Sequence, residues 1–110
     1  MIRASVNVTP HSIFIICACV NAAEELKIAL DLFVTAVENG KHMEGSKHYI
    51  GNAVDLRSKT FFTHDDKMAF LGKVLARLGR NYQGFLEDDG GSNEHFHFEY
   101  DPIIPGTVNA

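Results

Sequence analysis

Histidine and carboxylate side chains cluster in two short stretches of this 110-residue chain, SKHYIGNAVDLRS in the middle and NEHFHFEYDP near the end. In the first stretch, Gly51 permits a tight turn that could bring His48 and Asp55 together. Asp55 lies between two apolar residues on a predicted strand, where a carboxylate needs a charged partner or a metal. Either an ion pair with Arg57, on the same face of that strand, or a metal site would supply this partner.

The second stretch places two histidines on one face of a strand. His95 and His97 alternate, so both project to the same side, while Phe96 and Phe98 project to the core. Two histidines on one strand face are a recurrent arrangement of metal ligands. The alternative is a pair of exposed polar residues on a hairpin.

Together the two stretches provide a ligand set for zinc. Catalytic zinc has three nitrogen, oxygen or sulfur ligands from the protein and an open position for water. His48, Asp55 and His97 match that count, and zinc would lower the pKa of the water toward neutrality. The other histidines are expected to be ordinary solvated or cap-adjacent residues: His11, His42 and His64.

The elements that must position these residues are predicted from local signals. A buried helix over 11–26 starts at a Thr9–Pro10 cap, although a strand is an alternative for 13–19. A second helix over 63–79 starts at Thr63 and ends at Gly79. The spacing of Met68, Leu71, Leu75 and Leu78 gives this helix its apolar face. Strands are predicted at 31–38, 52–58, 82–87 and 94–100.

This order of elements predicts an α+β fold with a small, mainly antiparallel sheet and helices packed on it. We expect a single domain over 1–110, with its core at about 10–101 and a surface tail at 102–110. The net charge of −4 and the absence of a Lys/Arg run argue against nucleic acid and anionic membrane surfaces as partners.

Two cysteines lie two positions apart, at Cys17 and Cys19, which is poor geometry for a disulfide. We expect them to be reduced and buried. The apolar run at 13–20 is too short to span a membrane, and the amphipathic pattern that follows it disfavours a signal peptide. The expected location is the cytoplasm of the producing cell, with release or virion association as further possibilities.

The first stretch resembles the Ser-x-His-x-x-Gly-x-Ala-x-Asp motif of the zinc DD-peptidases. This family includes D-alanyl-D-alanine carboxypeptidases and dipeptidases, and phage L-alanyl-D-glutamate endopeptidases. The fixed positions of the motif are filled here by Ser46, His48, Gly51, Ala53 and Asp55. The family's second element has a Glu three residues before the last zinc-binding His, and Glu94 and His97 match it. Some members carry His-x-His there, which "HFH" also fits.

The resemblance implies a Hedgehog/DD-peptidase fold over roughly 10–101 and a Zn²⁺ ion held by His48, Asp55 and His97. It implies a zinc metallopeptidase that cleaves peptidoglycan stem peptides, as a carboxypeptidase or an endopeptidase of a phage or prophage endolysin. Glu94 would act as general base, with assistance from His95 as the alternative.

Strand alternation places Glu94 on the face opposite His97. If Glu94 is the base, a bulge or the end of the hairpin must turn its side chain to the face of His97. In a regular strand, His95 is the better placed helper. Ser46 would lie next to the zinc ligands and adjust the site through hydrogen bonds.

One departure from the family concerns the substrate carboxylate. Members usually carry an Arg shortly before the first motif, and this chain has none there. Lys41, Lys47 or Arg57 would have to substitute, but a lysine lacks the bidentate fork of arginine. The departure motivates an alternative function, a catalytically inactive metal-binding domain with a structural or virion-assembly role. A further alternative is a domain that binds a small ligand or a protein without metal.

Overall fold

A computed structural model describes residues 9–28, 34–38, 52–59 and 61–102 of the chain. The elements are α1 (Pro10–Glu25), β1 (Val34–Glu38), β2 (Ala53–Arg57), α2 (His64–Leu78), β3 (Tyr82–Glu87) and β4 (His95–Tyr100). The strands form one sheet in the order β1-β2-β4-β3, and each neighbouring pair is antiparallel. The predicted α+β class with an antiparallel sheet is therefore confirmed.

Both helices begin at the predicted threonine caps, and α2 ends at the predicted glycine. Thr9 Oγ1 accepts a hydrogen bond from the Ser12 N–H (3.3 Å), and Ser12 Oγ accepts one from the Thr9 N–H (3.0 Å). Thr63 Oγ1 accepts from the Asp66 N–H at 3.0 Å. Gly79 ends α2 with φ +82° and ψ −175°, a conformation that is essentially restricted to glycine. These caps satisfy backbone groups that the helix leaves unpaired.

Helices α1 and α2 pack on one face of the sheet and form the hydrophobic core with it. Phe96 is fully buried, and its ring centroid lies 5.1 Å from that of Phe70 in α2 and 5.3 Å from that of Phe61. Leu71 and Leu78 of the predicted apolar face of α2 are buried, as expected. Phe70 and Val74 are buried beside them, whereas Met68 is 43% exposed. The predicted role of Met68 in the core is wrong.

The opposite face of the sheet, here called the polar face, carries the candidate site. The β2–β4 and β3–β4 ladders are regular, so alternate residues of the three strands share this face. Its members are Asp55 and Arg57 of β2, His95, His97 and Glu99 of β4, and Gln83, Phe85 and Glu87 of β3.

The two cysteines are free, as expected, but only one is buried. Cys19 is in the core, where burial raises the pKa of its thiol to about 12. Cys17 is exposed, because it lies on the side of α1 that faces away from the sheet, and its predicted burial is wrong. Neither of the two described helices combines the length and the apolar character that crossing a membrane requires.

Candidate metal centre

Asp55 and His97 meet on the polar face. They lie directly opposite each other in the β2–β4 ladder, and Asp55 Oδ1 is 2.6 Å from His97 Nδ1. The side chains are 16% and 6% exposed, respectively. The sequence predicted both residues as ligands of one site, and the register of the sheet brings them into contact.

Glu99 forms a hydrogen bond with the second nitrogen of the His97 imidazole. His97 Nε2 lies 2.9 Å from Glu99 Oε1, and an ionised carboxylate can only accept, so Nε2 is the donor. The Glu99 side chain is 7% exposed. Glu99 belongs to neither sequence motif, although its position two residues after His97 on one strand face was a usable signal.

The two carboxylates determine the charge of His97. Burial by itself lowers the pKa of the imidazole, but the hydrogen bonds and negative charges of Asp55 and Glu99 outweigh burial and raise it to about 9. Without a metal, His97 is therefore a cation at neutral pH, with both nitrogens protonated. A metal at Nδ1 would displace a proton from that nitrogen.

His95 shares the polar face with His97, and the ladder shows no bulge along β4. His95 Nδ1 lies 2.7 Å from the carbonyl oxygen of Asn93, which can only accept, so Nδ1 carries a proton. In the neutral ring, Nε2 is then the nitrogen that can take up a proton. This nitrogen lies 4.0 Å from Glu87 Oε2.

The Glu94 carboxylate forms its hydrogen bonds on the helix-covered side of the sheet. Its carboxylate accepts hydrogen bonds from Lys67 Nζ (2.5 Å), Ser58 Oγ (2.7 Å) and the Gly90 N–H (2.8 Å). Lys67, the Gly90 N–H and Ser58, in that order, hold the pKa of Glu94 down to about 2. Lys67 belongs to α2, so the Glu94 carboxylate faces the helix layer, as strand alternation predicts.

A cavity of ≈ 320 Å³ opens next to Asp55 at the end of the sheet. Its size is at the lower end of the range for small-molecule sites. Arg57 and Lys59 contribute cationic groups to its wall. The full lining is Asp55, Arg57, Lys59, Ser92, Asn93, Glu94 and His95.

The first-motif residues His48 and Ser46 lie outside the described part of the chain, as do Lys41, His42 and Lys47. Of the three predicted zinc ligands, the structure thus places two, and it places them in contact. Among the described residues, no group of three His, Cys, Asp or Glu side chains is arranged to hold a metal ion. The described donors, one carboxylate oxygen and one imidazole nitrogen, fit zinc chemistry, and a third ligand has to come from elsewhere.

The other described histidines have different partners. The His11 ring stacks on Tyr100 with a centroid distance of 3.7 Å, and its Nδ1 lies 3.0 Å from the Tyr82 hydroxyl. His64 is exposed and pairs with Asp89 at 2.8 Å.

No protein-family model matches this chain, and no curated protein or solved structure shows significant similarity to it. The candidate centre therefore depends on the sequence motifs and on the side-chain geometry of the polar face.

Proposed function

We propose that this protein is a zinc-dependent peptidase that cleaves peptidoglycan stem peptides, with His48, Asp55 and His97 as the zinc ligands. The observation that carries the proposal is the partly buried 2.6 Å contact between Asp55 and His97, which come from two separate motifs. A Hedgehog/DD-peptidase fold is part of the same proposal, supported by the position of Asp55 and His97 in one antiparallel sheet with helices packed on it.

A zinc ion at this position would supply Lewis-acid chemistry, polarising a peptide carbonyl and lowering the pKa of water. Asp55 and His97 project from adjacent central strands, so their positions are fixed by the backbone ladder. Such rigid placement favours binding because few side-chain rotamers have to be ordered when the ion binds.

We assign proton transfer during hydrolysis to His95. This residue shares the polar face with the two described ligands and lines the adjacent cavity. Its Nε2 can accept a proton while Nδ1 remains bonded to the carbonyl of Asn93. Glu94 is a weaker candidate, because three hydrogen bonds point its carboxylate toward α2 and keep its pKa at about 2.

The cavity beside Asp55 is the proposed site for the stem peptide. Stem peptides carry free carboxylates, and Arg57 and Lys59 are the cationic residues in the cavity lining. Arg57 is the better candidate for a substrate carboxylate, because a guanidinium can bind both oxygens at once. We expect Arg57→Ala to raise KM for stem peptides more than it lowers kcat.

Hydrolysis of peptidoglycan stem-peptide fragments by the zinc-loaded protein tests the proposal. His95→Ala should keep zinc and lower kcat by about 10² to 10⁴-fold, the usual contribution of a general base. His64→Ala is the matched control, since it removes an exposed histidine from α2. If Glu94→Gln abolishes cleavage and His95→Ala does not, the base is Glu94.

A second candidate function is a metal-binding domain without peptidase activity, in a structural or virion-assembly role. The engagement of Glu94 by Lys67 and Ser58 favours this alternative, since the motif's carboxylate is then not available as a base. Zinc binding by the wild type without cleavage of any stem-peptide fragment would select it over the peptidase.

A further inference from the structure

Glu99 is a buried carboxylate in the middle of the sheet, a placement that requires compensation. Glu99 is only 6% exposed. Burying a charged carboxylate destabilises the folded state unless the carboxylate is paired. The contact that compensates it is the 2.9 Å hydrogen bond from His97 Nε2. The same contact fixes the ring of His97, because the two carboxylates hold both of its nitrogens.

We propose that Glu99 is a positioning residue for the metal centre: it binds His97 Nε2–H and so directs Nδ1 toward Asp55 as the metal-binding nitrogen. The inference rests on the zinc site of the proposed function, but not on peptidase activity. It assigns a role to a residue that neither sequence motif includes.

The two carboxylates contact different nitrogens of the His97 ring. Asp55 comes from the predicted ligand motif and lies at Nδ1, whereas Glu99 lies at Nε2 on the other side of the ring. A carboxylate on the distal nitrogen of a ligating histidine fixes its tautomer and raises its basicity. Loss of such a partner typically weakens metal binding by about 10 to 100-fold.

A purely structural role for Glu99 makes a different prediction. In that case Glu99 only pairs with the imidazolium of His97, and a metal would bind the protein equally well without it. Zinc affinity and the protonation of the two ring nitrogens therefore separate the two roles, whereas thermal stability does not.

Zinc dissociation constants, measured by chelator competition, provide the first readout. Glu99→Ala should bind zinc about 10 to 100-fold more weakly than the wild type. Glu99→Gln keeps a hydrogen-bond acceptor and should lose less than Glu99→Ala. Asp65→Asn is the control, because it neutralises an exposed carboxylate in the first turn of α2, and it should leave zinc affinity unchanged.

Nitrogen-15 NMR of His97 in the zinc-loaded wild type provides the second readout and needs no variant that could misfold. We expect Nε2 to be protonated and Nδ1 to be metal-bound. Coordination through Nε2, or a Glu99→Ala affinity within about 3-fold of wild type, would overturn the role of Glu99. Zinc binding without cleavage would reject the peptidase and leave this inference standing, whereas no zinc binding by the wild type would overturn both.

Discussion

Raising the pH of the metal-free protein from about 6 to about 9 should remove about 3 kcal/mol of stability through His97 alone. The carboxylates of Asp55 and Glu99 raise the pKa of this imidazole from 6.5 to about 9 in the folded state. Because the folded-state pKa is the higher one, the contribution is fully present below pH 6.5. It is lost progressively as the pH rises through about 9.

The magnitude follows from the size of the pKa shift. A pKa difference of one corresponds to about 1.4 kcal/mol of preference for the protonated state, and the pKa of His97 rises from 6.5 to about 9 on folding. Solvent screening reduces the value little, because the His97 side chain is only 6% exposed. The pH window ends at about 9 because the Cys19 thiol, with an ordinary pKa of 9.0, affects stability at higher pH.

Urea unfolding in the presence of a chelator, at intervals across this pH range, measures the effect. The His97→Gln variant removes the titrating imidazole, so it should lose clearly less stability than the wild type across this pH range. The control His64→Gln removes an exposed histidine and should keep the wild-type slope. A wild-type change below about 1 kcal/mol, or an unchanged slope in His97→Gln, would refute the assignment of a carboxylate-bound imidazolium.

Three further predictions concern the packing of the fold. A Cβ added at Gly84 would lie 2.5 Å from Cδ1 of Phe98, so Gly84→Ala should destabilise the protein by about 1 to 3 kcal/mol in urea unfolding. Gly72 lies inside α2 with open space around it, so Gly72→Ala should stabilise by about 0.5 to 1 kcal/mol, and a loss would contradict the helix assignment. A thiol reagent at pH 8 should modify exposed Cys17 in the native protein and Cys19 only after unfolding, with mass spectrometry as the readout.

Local sequence signals were sufficient for most element boundaries. The Thr9 and Thr63 caps and Gly79 act within one helical turn, so their effect does not depend on the rest of the fold. The hairpin strands were also predictable, because the DDGGSN turn separates two alternating segments. The predicted strand at 31–38 is confirmed for Val34–Glu38, and its first residues lie outside the described part.

The orientation of α1 could not be predicted. This helix is apolar on nearly all sides, so its hydrophobic pattern contains almost no information about which side faces the sheet. The structure buries Ile15 and Cys19 and leaves Ile13 52% exposed, with Cys17 exposed as well. Contacts with α2 and the sheet, which are tertiary, determine that choice.

The candidate site was predictable only in part. The two motifs identified Asp55 and His97, but the register that places them opposite each other is a property of the assembled sheet. Two of the three partners of Glu94 are far away in sequence, Ser58 directly after β2 and Lys67 in α2, so these contacts could not be read from the motif. Glu99 resembled an ordinary strand residue until its contact with His97 was known.

Zinc content tests the central claim most directly, on protein purified without a histidine tag and compared with its His48→Ala and Asp55→Asn variants. The proposed centre predicts about one zinc per wild-type chain, with zinc lost or bound far more weakly in both variants. Wild-type protein that holds no zinc after reconstitution, or variants that bind it as tightly as the wild type, would contradict the assignment of a zinc centre to these residues.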